Sequence, residues 1–530
     1  MHALHISFAK KSLMKDSTTS RRSQVPAGNK LFLLIYFLFF MLLFCWAKMA
    51  EAQCNCTAPL PAPQNQTVIN ITPQQGTSAI QSAINNAGGP TTIYLANGTY
   101  SVSGGQINVT KPGITIRSLS GNRDSVIILG GGMLGGSGYH GISILESNVT
   151  IADLTIRNID THPVDINFWY QPNSDIDNVL LHNIHVIDGG QQLVKMSFSG
   201  NANVKSSYGI IECSLIEYTT SLPGSNTYTN GIDLHNAHHW IIRDNEIRNI
   251  RSGPSATGPA GPAILFFHGG SDAIVERNRV INCDEGIFLG NYSNNPNVSF
   301  SGGIVRNNFV RGHSTSRCGI GIVLCPDAIV VNNTIYAPGG TAWTVEEYSI
   351  EVTGAQTTNL LIQNNLLDED IINVSNSAPP FTTVTNIINA PATHFVSTSL
   401  TSPDLHLVSN SSAINAGTAH AQRTDDYDCS GINGTTDIGA DEFVTITAVA
   451  PVEAEIIRAY PNPVSGYLRV ELDGADEERT YQVFDAKGTL VQSGIVAGLV
   501  FVITASEFAP GLYVLKLSGN RGGIFRFAKY

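Results

Sequence analysis

Ile242-Arg-Asp-Asn-Glu-Ile247, Val275-Glu-Arg-Asn-Arg-Val280, Val305-Arg-Asn-Asn-Phe-Val310, Val330-Val-Asn-Asn-Thr-Ile335 and Ile362-Gln-Asn-Asn-Leu-Leu367 are five copies of one six-residue pattern. Three earlier blocks keep the aliphatic ends without the fourth-position Asn: Ile151-Ala-Asp-Leu-Thr-Ile156, Leu181-His-Asn-Ile-His-Val186 and Ile211-Glu-Cys-Ser-Leu-Ile216. The blocks recur about every thirty residues, a period that means a repeat architecture. Their first and last positions are aliphatic and largely β-branched, as core-facing strand residues should be. The fourth position, Asn245, Asn278, Asn308, Asn333 and Asn365, is expected to turn the chain between two short strands, because Asn tolerates the left-handed conformation. Stacked rung on rung, these amides can hydrogen-bond into a ladder. Neither the short leucine offsets of a horseshoe nor a helical 3.6 period is present. The pattern predicts a parallel β-helix with rungs about 4.8 Å apart.

Each block is followed, after a loop, by an apolar stretch that closes the rung: Val164–Phe168, Gln191–Ser197, Gly231–His235, Ala263–His268, Gly286–Gly290, Gly319–Leu324 and Tyr348–Val352. Ahead of the coil, Thr77–Ala87 reads as an amphipathic helix covering the open end of the solenoid, followed by Thr91–Leu95 and an Asn97-Gly-Thr-Tyr100 turn. The coil is assigned to 77–443, after a linker over 53–76. A second linker over 444–454 leads to a small β-sandwich over 455–530, for which the expected strands are Leu468–Leu472, Tyr481–Asp485, Leu490–Gly494, Val500–Thr504, Tyr513–Ser518 and Ile524–Tyr530, with Asp485-Ala-Lys-Gly488 as a turn. The fold class is therefore all-β.

Residues 1–52 read as a signal peptide: a basic stretch, the apolar run Leu31–Trp46, then Ala50-Glu-Ala52 as a cleavage site. No second long apolar stretch follows, so no transmembrane segment is expected in the mature chain. Removing the leader takes the formal net charge from −12 to −17, which argues against nucleic acid and anionic membranes as partners. With 42% hydrophobic and 14% charged residues, the chain is neither disordered nor a coiled coil. The eight cysteines form neither a disulfide scaffold nor a zinc ribbon. Cys213 and Cys283 read as buried small hydrophobes, and Cys318 and Cys325 as a pair able to bridge a loop.

The helix, the Asn-Gly-Thr-Tyr turn and the Asn-bearing rungs resemble the right-handed parallel β-helix superfamily of pectate lyases and bacterial surface proteins. Asp188-Gly-Gly-Gln-Gln-Leu-Val-Lys195, Tyr228-Thr-Asn-Gly-Ile-Asp-Leu-His235 and Trp240-Ile-Ile-Arg-Asp-Asn245 resemble bacterial β-helix-repeat proteins. Asp437-Ile-Gly-Ala-Asp-Glu-Phe443 resembles the closing motif of such chains. The Ala459-Tyr-Pro-Asn-Pro opening, Gly511-Leu-Tyr-Val-Leu-Lys516 and Arg526-Phe-Ala-Lys-Tyr530 resemble the type A C-terminal sorting domain of the type IX secretion system. That second resemblance implies a Bacteroidota-type export route, the secretion machinery as partner, and delivery to the cell surface or medium.

In the superfamily, active sites lie along a groove on the strand after the long loop. Here that strand carries Lys195, then Asp233 and His235, then His268. Residues two apart on a strand share a face, so Asp233 and His235 point the same way. A base, an acid and a cation suit β-elimination of a uronate chain. The loops Tyr218–Asn230 and Arg251–Pro262 are expected to wall a sugar cleft, with Tyr218, Tyr228 and Arg243 as substrate contacts. The expected function is a secreted polysaccharide lyase acting as a monomer, with a non-catalytic carbohydrate-binding adhesin and a glycoside hydrolase as alternatives. Hydrolysis needs two facing carboxylates, for which Asp233 with Asp284 or Glu285 is the available pairing. Chondroitinase-B-like lyases place acidic calcium ligands just before their lysine, where this chain has Gln191 and Gln192. No cofactor is required by this reading. One calcium-loop spacing does occur, with Asp426, Asp428 and Ser430 at alternate positions, Gly431 sixth and Asp437 twelfth. Arg243, Arg248, Arg251, Arg277 and Arg306 are read as a solvated ladder that deters stacking faults.

Overall fold

The computed structural model describes Cys56, residues 60–444 apart from 134–138, 167–172, 223, 295–296, 339–347 and 433, and residues 456–530 apart from 473–478, 486–488, 497 and 519–522. The leader, the second linker and the Asp485–Gly488 turn lie outside or largely outside those residues. Contacts divide the chain into two units, 1–443 and 444–530.

The first unit is a right-handed parallel β-helix. Its described strands form three parallel sheets of 12, 11 and 10 strands. Every hexapeptide block feeds two of them. Ile241–Arg243 lies on the first sheet and Glu246–Arg248 on the third, and Val275 stacks on Ile242 below and Val305 above. The rung-closing stretches form the second sheet, including Val194–Met196, Ile232–His238 and Ile264–Ser271. Aliphatic side chains from all three sheets fill one continuous core. Full burial of each contributes roughly 1.5–3 kcal/mol.

The Asn ladder forms, continuous from Asn245 through Asn278, Asn308, Asn333 and Asn365 to Asn386. Each Nδ2 donates to the next Oδ1 at 2.9–3.0 Å. The turning residue, however, is the third of each block. Asp153, Asn183, Cys213, Asp244, Arg277, Asn307, Asn332 and Asn364 all have φ between 49° and 57°. The fourth-position Asn is instead drawn inward, where its amide meets the backbone groups exposed at the bend.

The helix is observed over Gly76–Asn85, burying Ile80, Ala83 and Ile84 against the first rungs. The coil starts earlier than the expected boundary at 77: Thr67–Ile71 pairs in parallel with Thr91–Leu95, so part of the 53–76 stretch is the first rung. Two cysteine readings are corrected. Cys213 is disulfide-bonded to Cys56 rather than a free small hydrophobe, because its left-handed backbone turns it outward to the N-terminal strap. Cys318 and Cys325 are free and buried at separate positions of one rung, with no bridge between them.

The described strands of the second unit form two antiparallel sheets of three and four strands. Leu468, Val470 and Ile503 from one sheet, and Val483, Leu515 and Phe527 from the other, share one core. An additional strand, Ile456–Tyr460, precedes those expected.

Candidate functional site

Parallel pairing places Lys195 directly opposite Asp233 on the next rung, with His235 two residues on. The following rung does not continue in register. His235 pairs with Phe267 and Ala237 with Gly270, so His268 and Gly269 face the single residue Asn236. His268 adopts φ 59° in this bulge, bringing its ring within 4.8 Å of the His235 ring. Gly270 has φ 91°, and a Cβ there would lie 2.2 Å from the Ala237 carbonyl oxygen. Only glycine permits this bulge.

The four residues therefore converge. Lys195 Nζ lies 2.5 Å from Asp233 Oδ2 and 2.8 Å from His235 Nε2. His235 Nε2 is 3.2 Å from the other Asp233 oxygen. The Phe198 N–H donates to His235 Nδ1 at 3.1 Å. That contact fixes the neutral imidazole with its proton on Nε2, aimed at the lysine nitrogen. Phe267 meets the His235 ring edge-on at 4.0 Å, and Phe198 stacks on His268. Burial raises the Asp233 pKa, but the Lys195 charge and hydrogen bonds from His235 and Lys195 outweigh it and hold the carboxyl below its usual range. Burial pushes His235 below the ordinary imidazole value, against its interaction with Asp233. His268 is pushed down to about 4 by burial and by the charges of His235 and Lys195. Both imidazoles are neutral near pH 7.

These groups form the floor of a cleft of about 390 Å³. One wall is Thr227–Asn230 from the 218–230 loop, another is Gly261 and Pro262 from the 251–262 loop, and Asn291 and Ser293 come from a third. Tyr228, largely exposed, stands at the wall. Leu265 and Phe267 also line the cleft and are not picked out from the sequence, and Gln192 lines it as well. Phe267, adjoining His268 in an apolar strand, reads there as core.

Two expected substrate contacts are corrected. Tyr218 is buried, its hydroxyl donating to the Gly189 and Gln191 carbonyls and contacting Thr229, so it anchors the loop rather than meeting a sugar. Arg243 lies on the first sheet, away from the second-sheet cleft, with Nε and Nη2 on Glu212 Oε2. The arginine ladder is likewise paired, not simply solvated: Arg277 is buried among Asp244, Glu276 and Asp425.

The calcium-loop residues do not form a cage. Asp426 accepts the Ser430 and Glu442 N–H groups, and Asp437 accepts those of Asn415 and Phe443. Asp428 pairs with His406. The carboxylates are used to close turns, and this donor set does not fit calcium. Among the described residues, side chains gather at metal-binding distances in two places: His140, His162 and Asp165, and His406, Asp428 and Asp441.

Residues 458–526 match the secretion system C-terminal sorting domain family. The C-terminal unit is a type IX sorting domain. The sorting domain directs the chain to the cell surface or the extracellular space. No helix among the described residues is long and apolar enough to cross a membrane. A search of curated proteins returns no match. Among solved structures, the chain is similar to the pectate lyase Pel9A, with 13% identity, a TM-score of 0.47, and 74% of this chain and 100% of that one covered. It is also similar to the enzymatically active domain of the bacteriophage CBA120 tailspike protein 2, with 12% identity, a TM-score of 0.37, and coverage of 88% and 76%. A third likeness is to the PL6 family alginate lyase AlyGC, with 13% identity, a TM-score of 0.28, and coverage of 57% and 44%. None of these likenesses bears on the reaction.

Proposed function

We propose that the exported coil acts on polysaccharide as a lyase of uronate-containing chains. The observation that carries this reading is the convergence of Lys195, Asp233 and His235 on one walled cleft. β-Elimination removes the proton beside the uronate carboxylate, breaks the bond to the glycosidic oxygen and leaves a carbon–carbon double bond. It needs a lone pair at the sugar and a proton for the departing oxygen. Lys195 Nζ lies 2.8 Å from His235 Nε2, a distance over which a proton can pass between the two groups. Asp233 accepts an N–H of Lys195 and orients that side chain. Lys195 and His235 are assigned as the pair that exchanges protons with the sugar, and Asp233 as their positioning residue. A hydrolase reading loses its second carboxylate: Asp284 accepts the Ser252 and Ala260 N–H groups and pairs with His313, and Glu285 pairs with Arg317.

Incubation of the exported protein with pectin, alginate and glycosaminoglycans should release ends that absorb in the ultraviolet. Lys195→Ala and His235→Ala should each lower that rate by ~10²–10⁴-fold while circular dichroism stays unchanged. Undiminished cleavage in both variants overturns the site. Retention of a polysaccharide with no cleavage transfers the protein to the binding class.

A further inference from the structure

One rung below Lys195, in direct register with it, stands Asp165. It is 2% exposed and belongs to the strand Val164–Ile166. Two histidines from the loops on either side reach the same point. His162 precedes this strand, and His140 precedes the strand below, Ile142–Ile144. Their rings stack at 5.1 Å with planes 11° apart. His140 Nε2 is 3.4 Å from Asp165 Oδ2, and one ligand atom from each of the three residues lies within 4.8 Å of the other two. Nothing in the proposed elimination uses these groups.

The hydrogen bonds behind the rings decide which nitrogens face inward. His162 Nδ1 lies 3.0 Å from the Gln192 carbonyl oxygen, which can only accept, so Nδ1 carries the proton and Nε2 the lone pair. His140 Nδ1 lies 2.8 Å from Thr161 Oγ1. The Thr161 hydroxyl gives its own hydrogen to the Tyr139 carbonyl at 2.7 Å, so it must accept from His140 Nδ1–H. Both Nε2 lone pairs are therefore locked in position by a proton held on the far side of the ring. This is the outer-shell arrangement that orients metal-binding histidines.

We propose that His140, His162 and Asp165 bind a divalent transition-metal ion of the zinc class. Two imidazoles and one carboxylate suit such an ion rather than calcium, which takes six to eight oxygens. Ligand atoms about 2.0–2.1 Å from a tetrahedral centre lie about 3.3 Å apart, close to the observed His140–Asp165 distance. Three protein ligands leave a coordination position for water or an oxygen of a bound molecule. An open cavity of about 450 Å³ adjoins the site, bounded by His140, Tyr139, Asp160 and the glycine-rich segments 104–105 and 130–132. It provides a route for the ion and for its exchangeable ligand.

The test is binding, read independently of any cleavage. The intact exported protein, stripped with chelator, is titrated with Zn(II) by calorimetry and with Co(II) by visible absorption. The expected result is one ion per chain, with the Co(II) bands of a four- or five-coordinate N/O site. His140→Ala, at the least buried of the three ligands, and Asp165→Asn should each weaken binding at least tenfold. Thr161→Val, which removes the hydroxyl that accepts from His140 Nδ1 and donates to the Tyr139 carbonyl, should weaken it about 10–100-fold. His406→Ala, which disables the other cluster, should leave it unchanged. No stoichiometric binding by the folded wild-type protein overturns the proposal. So does binding that survives His140→Ala, or binding that is lost in His406→Ala.

Discussion

His406 shows how one side chain can give the fold a pH limit. It bridges Asp404 at 2.5 Å and Asp428 at 3.1 Å on the flank of the coil. Burial alone would depress its pKa, but the hydrogen bonds to Asp428 and Asp404 prevail and raise it to about 9. A histidine whose folded pKa exceeds the unfolded value of about 6.5 binds its proton more tightly when folded. Its contribution is complete below about pH 6.5 and is lost as pH rises through 9. Thermal melts should therefore fall between pH 6.5 and pH 10, and His406→Asn should flatten part of that fall. An unchanged pH dependence in the variant would rule out this cluster as the source. The same scale explains the partial legibility of the cleft. Lys195, Asp233 and His235 are readable because strand alternation and register put them on one face. Tyr218 and Arg243 are misplaced because sequence spacing does not say which of three sheets a side chain leaves from. His268 arrives through a bulge, whose only trace in the sequence is the Gly269-Gly270 pair.

At the scale of the rung, hydrogen bonding explains why Asn recurs where it does. Asn308 Nδ2 donates to the Val275 and Arg306 carbonyls and to Asn333 Oδ1, while its Oδ1 accepts the Asn278 N–H and Nδ2. No other uncharged side chain of that length supplies both a donor pair and an acceptor. The aliphatic ends of each block were enough to locate the strands. The turning position was not, since Asn often occupies both third and fourth positions, and Arg277 and Cys213 also take up the left-handed conformation. Asn308→Ala removes the shared amide and leaves buried carbonyls and an N–H without partners, each costing about 1–3 kcal/mol. The variant should lose ~2–4 kcal/mol by urea denaturation. Exposed Ser399→Ala, which removes only a hydroxyl contact with Thr401, should cost under about 1 kcal/mol. Equal losses at the two positions would mean that the ladder contributes no more than a surface contact.

Across the whole coil, the third-position turns form an edge that two straps cover. The N-terminal strap is bonded through Cys56 to Cys213 and receives Arg117 at the Leu60 and Pro61 carbonyls. A returning C-terminal strap meets Arg277 and Asn307 at Asp425, Asn332 at Asp437 and Gly439, and Asn364 at Thr418. The disulfide closes a separation of 157 residues, and such bridges typically contribute about 2–4 kcal/mol by restricting the unfolded chain. It also belongs to an oxidising compartment, in agreement with export. Every one of these contacts lies within the first unit. The sorting domain has a separate core and begins after the closing motif at Phe443. Deleting 455–530 should therefore leave the coil folded and its Cys56–Cys213 bond formed, while removing the signal for passage across the outer membrane. Fractionation should find the truncated protein in the periplasm with protease resistance intact and the full chain at the surface or in the medium. Surface delivery of the truncated chain would overturn the role given to this domain. A truncated chain degraded in the periplasm would instead show that the coil depends on the second unit for stability, against the separation of the two cores.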